Sequence, residues 1–160
     1  MQFEASAAQV KQATLPHNLM IVMLFAFNLL MVPAVISLHM GMLGLLLPLF
    51  SSSATIYFIY RRGKNINNEF VAAHWQLAVK NGRWLLLGYA ISAVLILLAW
   101  LISLTAHEPS MKQILWTALT RIGLLPTLIA VMVTAVMEAS AISQATKREA
   151  PNSSINKKHP

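Results

Sequence analysis

The chain has 160 residues, of which 57% are hydrophobic and 11% are charged, and its formal net charge is +7. Ordinary soluble domains contain about 45–50% apolar and about 25% charged residues, so this composition excludes a typical soluble domain and is typical of a membrane protein. The lack of cysteine excludes disulfides, thiolate catalysis and cysteine-ligated metals.

Four segments of the sequence are long and apolar enough to span a membrane as helices, which takes about 20 mostly apolar residues. They cover about residues 18–38, 40–60, 84–106 and 117–140. The sequence therefore predicts an all-α integral membrane four-helix bundle, in which two hairpins are joined by a cytoplasmic amphipathic helix at about 68–81. The transmembrane domain covers 18–142, between a cytoplasmic N-terminal segment (1–17) and a disordered basic cytoplasmic tail (143–160).

The excess of basic residues, 12 Lys and Arg against 5 Asp and Glu, is concentrated in residues 61–83 and in the tail. In a soluble protein this excess would suggest a nucleic-acid partner, but beside apolar spans it sets orientation. Both basic segments are then cytoplasmic, and with four spans both termini are too. We expect a multi-pass protein of a bacterial inner (plasma) membrane. Its expected partners are the lipid bilayer and anionic headgroups on the cytoplasmic side, with no nucleic acid.

In the first predicted span, Asn28 is a polar side chain at membrane depth. Such residues are candidate functional groups, because placing them in lipid costs free energy. A single amide most often bonds to a neighbouring helix, so we expect structural pairing here.

The segment NEFVAAHWQLAVKNGRW, residues 68–84, has the periodicity of an amphipathic helix. Asn67 or Asn68 is expected to cap its start, and the Asn-Gly pair at 81 and 82 to end it. Its basic and apolar faces favour a position in the cytoplasmic headgroup layer. The alternative is a cap packed under the transmembrane helices. The predicted interfacial residues of the chain are Phe70, His74, Trp75, Lys80, Arg83, Trp84 and Arg121.

His74 falls within the apolar arc of this predicted helix. We expect it to bond to a backbone carbonyl or a headgroup, and the alternative is a proton-sensitive switch or a ligand.

The fourth segment carries hydroxyl-bearing and small residues over about a third of the helix circumference. This stripe favours close helix packing, and the alternative is a narrow hydrated path that ends at an inner carboxylate. A bend is expected near Gly123 and Pro126. The candidates for packing or for a polar path are Asn28, Thr120, Thr127, Thr134 and Glu138.

The two predicted outer turns contain the residues His39, His107 and Glu108, which are the metal candidates of the sequence. Their spacing matches no metal motif, so we expect no metal and no cofactor. The sequence also lacks a phosphate-binding Gly loop, a Ser-His-Asp set and a paired-carboxylate site. We therefore expect a protein that is not an enzyme.

The order of elements over residues 38–106 resembles that of a group of small four-helix bacterial membrane proteins of mostly unknown function. That group is related to a component of the chloroplast inner-envelope import machinery. The resemblance rests on Pro48, Arg61, Glu69, Phe70, His74, Trp75 and Gln76. It implies the topology of four helices, and no import activity.

The sequence favours a non-enzymatic inner-membrane protein that acts through helix packing, as an accessory or assembly subunit or as a homo-oligomer. One alternative is a small transporter or channel with a polar path along the fourth span. A holin-like permeabilising protein is the third hypothesis.

Overall fold

The computed structural model describes residues 4–31, 44, 46–149 and 151, and within these ranges the chain is helical apart from caps and short connections. The all-α prediction is therefore confirmed for the described residues. The helices are α1 (Ala7–Met23), which continues as a π-helical segment (Leu24–Leu30), α2 (Leu46–Gly63), α3 (Glu69–Leu104), α4 (Pro109–Gly123) and α5 (Leu125–Thr146).

Three helical stretches in the described part of the chain are long and apolar enough to cross a membrane. They are Ala7–Leu30, Glu69–Leu104 and Pro109–Thr146, and they overlap the first, third and fourth predicted spans. The end of the first predicted span, the first residues of the second and the turn at His39 lie outside the described residues.

Helix α1 begins at Ala7, inside the segment predicted to be the cytoplasmic N-terminal segment (1–17), so the first helix extends well before the predicted span. The reason is a capping box: the Gln9 backbone N–H donates to Ser6 Oγ at 3.3 Å, and the Ser6 N–H donates to Gln9 Oε1 at 2.8 Å. These two reciprocal bonds satisfy backbone donors that a helix start otherwise leaves without partners. The helix continues through Pro16.

Helix α3 is a single helix from Glu69 to Leu104, so the prediction of a separate helix ending at Asn81 and Gly82 is wrong. Its predicted start is confirmed, because Asn68 Oδ1 accepts the Val71 N–H at 3.0 Å. Gly82 lies in the helix interior, where a Cβ would be 2.8 Å from Ile56 Cγ1. Glycine here permits close packing of α3 on α2 and does not end the helix.

The chain divides into two compact units. The first unit comprises the described parts of Met1–Arg83 and Thr134–Pro160, and the second is Trp84–Val133. Because α3 and α5 are continuous, each contributes to both units. Side chains buried in the first unit include Met20, Met23, Leu24, Ile59, Val71 and Trp75.

In the second unit, α3 and α5 approach closely at two small residues. A Cβ at Gly88 would lie 2.3 Å from the Cβ of Ala130, a distance that no real contact reaches. Helices α4 and α5 are interrupted at Leu124, beside Gly123 and Pro126, where the sequence predicts a bend. Thr127 lies in the first turn of α5, where a backbone N–H has no acceptor within the helix. Its N–H donates instead to Ser92 Oγ at 3.1 Å.

Candidate functional site

The first unit contains a cluster of buried polar side chains, here called the Glu138 cluster: Glu138, His17, His74 and Asn81. Glu138, His17 and His74 are fully inaccessible, and Asn81 is 1% exposed. They come from three helices, α5, α1 and α3. Buried ionisable groups are expensive in an apolar environment, so an arrangement of three of them is the strongest candidate for a site in this unit.

The cluster is a chain of hydrogen bonds. His17 Nδ1 lies 2.5 Å from Glu138 Oε2, and His17 Nε2 lies 3.2 Å from His74 Nδ1. At the far end, His74 Nε2 lies 3.1 Å from the carbonyl oxygen of Glu149. Asn81 Nδ2 donates to the other carboxylate oxygen of Glu138 at 3.0 Å. Every ring nitrogen of both histidines therefore has a partner.

The partners determine where the protons lie. The Glu149 carbonyl can only accept, so His74 Nε2 carries a proton. In a neutral His74 ring Nδ1 is then an acceptor, and His17 Nε2 carries the proton between the two rings. One proton remains between His17 Nδ1 and Glu138 Oε2, and the pair is an imidazolium with a carboxylate or an imidazole with a carboxylic acid.

These two forms differ only by the shift of one proton along one hydrogen bond. A second shift, from His17 Nε2 to His74 Nδ1, would move the positive charge to His74. Burial opposes that form, because an imidazolium away from the carboxylate lacks a neutralising partner. The cluster can therefore hold a proton and shift it among Glu138, His17 and His74 while the number of protons bound to the cluster stays the same.

The Glu149 carbonyl reaches His74 because α5 ends in a tight reversal. Arg148 has φ 60°, and the N–H groups of Arg148 and Glu149 donate back to the carbonyls of Ala145 and Gln144. This is the bonding pattern of a Schellman motif. The predicted disorder is therefore wrong for residues 143–149, while residues 150 and 152–160 lie outside the described part.

Trp75 fixes α1 against the start of α3, and a proline makes this possible. Pro16 has no backbone N–H, so the helix cannot supply the donor that the Gln12 carbonyl normally receives from four residues ahead. The indole Nε1–H of Trp75 donates to that carbonyl at 3.1 Å. This bond anchors α1 to α3: its donor Trp75 is adjacent to His74, and its acceptor Gln12 lies five residues before His17.

Three of the predicted interfacial residues are buried in protein instead of facing lipid. Phe70 and Trp75 are each 3% exposed, His74 is inaccessible, and the rings of Phe70 and His74 pack edge to face at 5.0 Å. These three side chains therefore pack against protein and do not face lipid, while the position of this segment in the headgroup layer stays a prediction. The remaining predicted interfacial residues are exposed: Lys80, Arg83, Trp84 and Arg121.

The structure does not join the predicted polar-path residues into one thread. Asn28 Nδ2 donates to Ser52 Oγ at 3.3 Å, and Thr127 Oγ1 pairs with Ser92 Oγ at 2.8 Å. Within the described residues, the buried hydroxyls of Thr120 and Thr134 have no hydrogen-bond partner. Glu138 bonds to none of the other four.

The metal candidates of the sequence are not brought together in the described part of the chain. His39 lies outside it, His107 and Glu108 are exposed, and no group of three described His, Asp or Glu residues is arranged to hold a metal ion. In the Glu138 cluster, both His17 nitrogens already face protein atoms, so neither points to a vacant coordination position.

Two members of the cluster are absent from the sequence-based site, His17 and Asn81. The predicted first span begins at residue 18 and so leaves out His17, and Asn81 is predicted at the end of a helix. The S-x-x-Q signal at Ser6 is typical of a capping box, and a helix that begins there includes His17.

Comparison with protein-family models, with curated proteins and with solved structures finds no match. The resemblance to the four-helix bacterial membrane proteins therefore stays a prediction.

Proposed function

We propose that this chain is a multi-pass protein of a bacterial inner membrane, with both termini cytoplasmic, that acts without catalysis through helix packing. It serves as an accessory or assembly subunit, or as a homo-oligomer. The observation that carries this proposal is the distribution of polar and apolar groups. Polar side chains of the apolar helices bond to other helices, while large apolar side chains are exposed.

The polar half of this pattern consists of bonds between separate helices. Ser52 joins α2 to the π-helical segment, Ser92 joins α3 to α5, and Glu138 joins α5 to α1 and α3. Such pairs stabilise helix contacts in lipid, by about 0.6 kcal/mol each on average. The small residues Gly88 and Ala130, which let α3 and α5 approach, serve the same purpose.

The apolar half is the exposed surface. Leu30 and Val136 are each 70% exposed, and Phe50 is 66% exposed. Side chains of this size destabilise a protein in water when they are exposed in large contiguous patches, whereas lipid or a partner helix solvates them at no such cost. The expected environment is the bilayer, the expected partner another membrane helix, and no metal or cofactor is needed.

The test is to extract the protein from its own membranes in a mild detergent and to identify co-purifying proteins by mass spectrometry, with its mass measured by light scattering. A stoichiometric partner or a discrete homo-oligomer supports the proposal. A monodisperse monomer without a partner contradicts it. Resistance to carbonate extraction tests membrane insertion independently.

A second candidate function is a small proton-coupled transporter or channel, which the Glu138 cluster specifically favours. A relay of two histidines and a carboxylate can accept and release a proton in a place that water does not reach. Proton flux into liposomes that contain the purified protein, followed with a pH-sensitive dye, is the test. Glu138→Gln should abolish the flux and Glu108→Gln, at an exposed position, should leave it unchanged. Equal flux in all three proteins excludes a proton path through the Glu138 cluster, and flux no greater than in liposomes without protein excludes this function.

A further inference from the structure

A cleft of about 540 Å³ lies in the first unit where α1 begins, α2 ends and α3 begins. We call it the cationic cleft. Its rim carries the basic side chains of Lys11 and Arg62 and the amides of Gln12 and Asn65. Its apolar wall includes Val71 and Trp75.

The cleft is held in shape by the Trp75 anchor. The Trp75 indole bonds to the Gln12 carbonyl in α1, and a Cβ at Gly63, the last residue of α2, would lie 3.2 Å from the Trp75 Cβ. One buried side chain therefore contacts two other helices. As a result, Lys11 and Arg62, which are far apart in sequence, line the same cavity.

The two cations of the cleft differ from their basic neighbours. Lys64 Nζ lies 4.5 Å from the centre of the Tyr60 ring, and the Arg61 guanidinium lies 5.9 Å from that of Tyr57. Lys11 and Arg62 have no such ring contact and no acidic partner among the described residues, and no acidic side chain lines the cleft. Among the described lining residues, two like charges share one cavity without a counter-charge, which favours an anion between them.

We propose that the cationic cleft binds the phosphate of an anionic phospholipid headgroup. Arg62 supplies the forked donors that suit phosphate oxygens, and Lys11 supplies a second positive charge. The apolar wall of Val71 and Trp75, with Leu15, contacts the first carbons beyond the headgroup. A hydrated inorganic phosphate gains nothing from that wall, so the lining matches an amphiphile. The proposal rests on the membrane location proposed above.

The experiment measures lipid binding to the detergent-solubilised full chain by native mass spectrometry, with phosphatidylglycerol and phosphatidylcholine as probes. The test variant is Lys11→Gln/Arg62→Gln. Its matched control is Arg61→Gln/Lys64→Gln, which removes the same charge from the same region but not from the cleft. Phosphatidylglycerol should bind the test variant about 30-fold more weakly than the wild type. This fold-change corresponds to a loss of about 1 kcal/mol of binding free energy for each of the two removed cations. The control should bind as the wild type does.

Three results would overturn the proposal. An equal loss in test and control variants would mean general attraction to a basic surface, and no loss in the test variant would mean that the cleft is not the site. Competition by inorganic phosphate would assign the cleft to a free anion. Lys11→Arg/Arg62→Lys keeps both charges and should restore binding, which separates a lost site from a misfolded one. Carbonate extraction of the same proteins from membranes shows whether the membrane location itself fails.

Discussion

Removing His17 should destabilise the protein far more than replacing Glu138 by glutamine. In Glu138→Gln the amide oxygen still accepts from Asn81, and the amide N–H₂ donates to Nδ1 of a neutral His17. His17 Nε2–H still donates to His74, so every bond of the Glu138 cluster survives without a charge. In His17→Ala the carboxylate stays buried with Asn81 as its remaining described partner.

The expected magnitudes follow from the complete burial of the pair. Leaving one member of a buried ion pair without its partner costs about 3–5 kcal/mol, whereas an isosteric neutral replacement that keeps its hydrogen bonds costs about 1 kcal/mol or less. Part of the His17→Ala cost is the cavity that alanine leaves. The double variant His17→Ala/Glu138→Gln isolates the charge effect, because its carboxylate is gone: His17→Ala should cost about 2 kcal/mol less in that background.

The assay is reversible unfolding of the detergent-solubilised protein in SDS, followed by far-UV circular dichroism, for the wild type and the three variants. If His17→Ala costs the same free energy with Glu138 as with glutamine at position 138, the buried pair has no electrostatic coupling and is not an ion pair. The same assay supports the flux experiment, because a stable Glu138→Gln variant without flux would separate proton transfer from folding.

Three further substitutions test the packing of the helices by the same unfolding assay. Gly88→Ala places a Cβ 2.3 Å from that of Ala130 and should cost about 1–3 kcal/mol, most of which Ala130→Gly in the same chain should restore; a neutral Gly88→Ala would refute the close approach. Trp75→Phe should cost about 1–3 kcal/mol by leaving a carbonyl without a donor. Adding Pro16→Ala, which returns the helical N–H, should recover part of that cost, and no recovery would contradict the anchoring role of the indole. Arg148→Gly should stabilise the protein by about 0.5–1 kcal/mol, since φ is 60° there, and a loss would mean that the arginine side chain itself contributes.

The helices themselves were predictable because long apolar runs have few alternatives. The first, third and fourth predicted spans overlap long helices, and the interruption beside Gly123 was visible as a Gly and a Pro close together. The cap at Asn68 was also predictable, because an asparagine just before a helical pattern is a common N-cap. Each of these features depends on residues within one or two helical turns, and so can be inferred without knowing what packs nearby.

The Glu138 cluster was only partly predictable, because its partners are far apart in the sequence. Periodicity placed Glu138 on a polar stripe and His74 in a patterned helix, but nothing local indicates that either meets His17. The part of the site that the sequence indicates consists of polar residues in apolar helices, whose burial without a partner would cost free energy. Their pairing required the arrangement of three helices, which the sequence of any one of them does not contain.

The positions where local rules failed are the positions where the first unit is assembled. Pro16 removes a helical donor, and the carbonyl it frees accepts Trp75. An Asn-Gly pair would normally end a helix, yet here Asn81 bonds to Glu138. Arg148 adopts a backbone conformation that favours glycine, and the reversal it permits brings the neighbouring carbonyl to His74.

In each case a local cost is offset by a contact with another helix; two of these contacts reach the Glu138 cluster, and the third is made by Trp75, the neighbour of His74. A purely structural core would not need a buried cluster of ionisable side chains, since leucine and alanine pack three helices together at a lower cost in free energy. The concentration of such exceptions around one proton-sharing pair is therefore the strongest reason to test Glu138 for a role beyond packing.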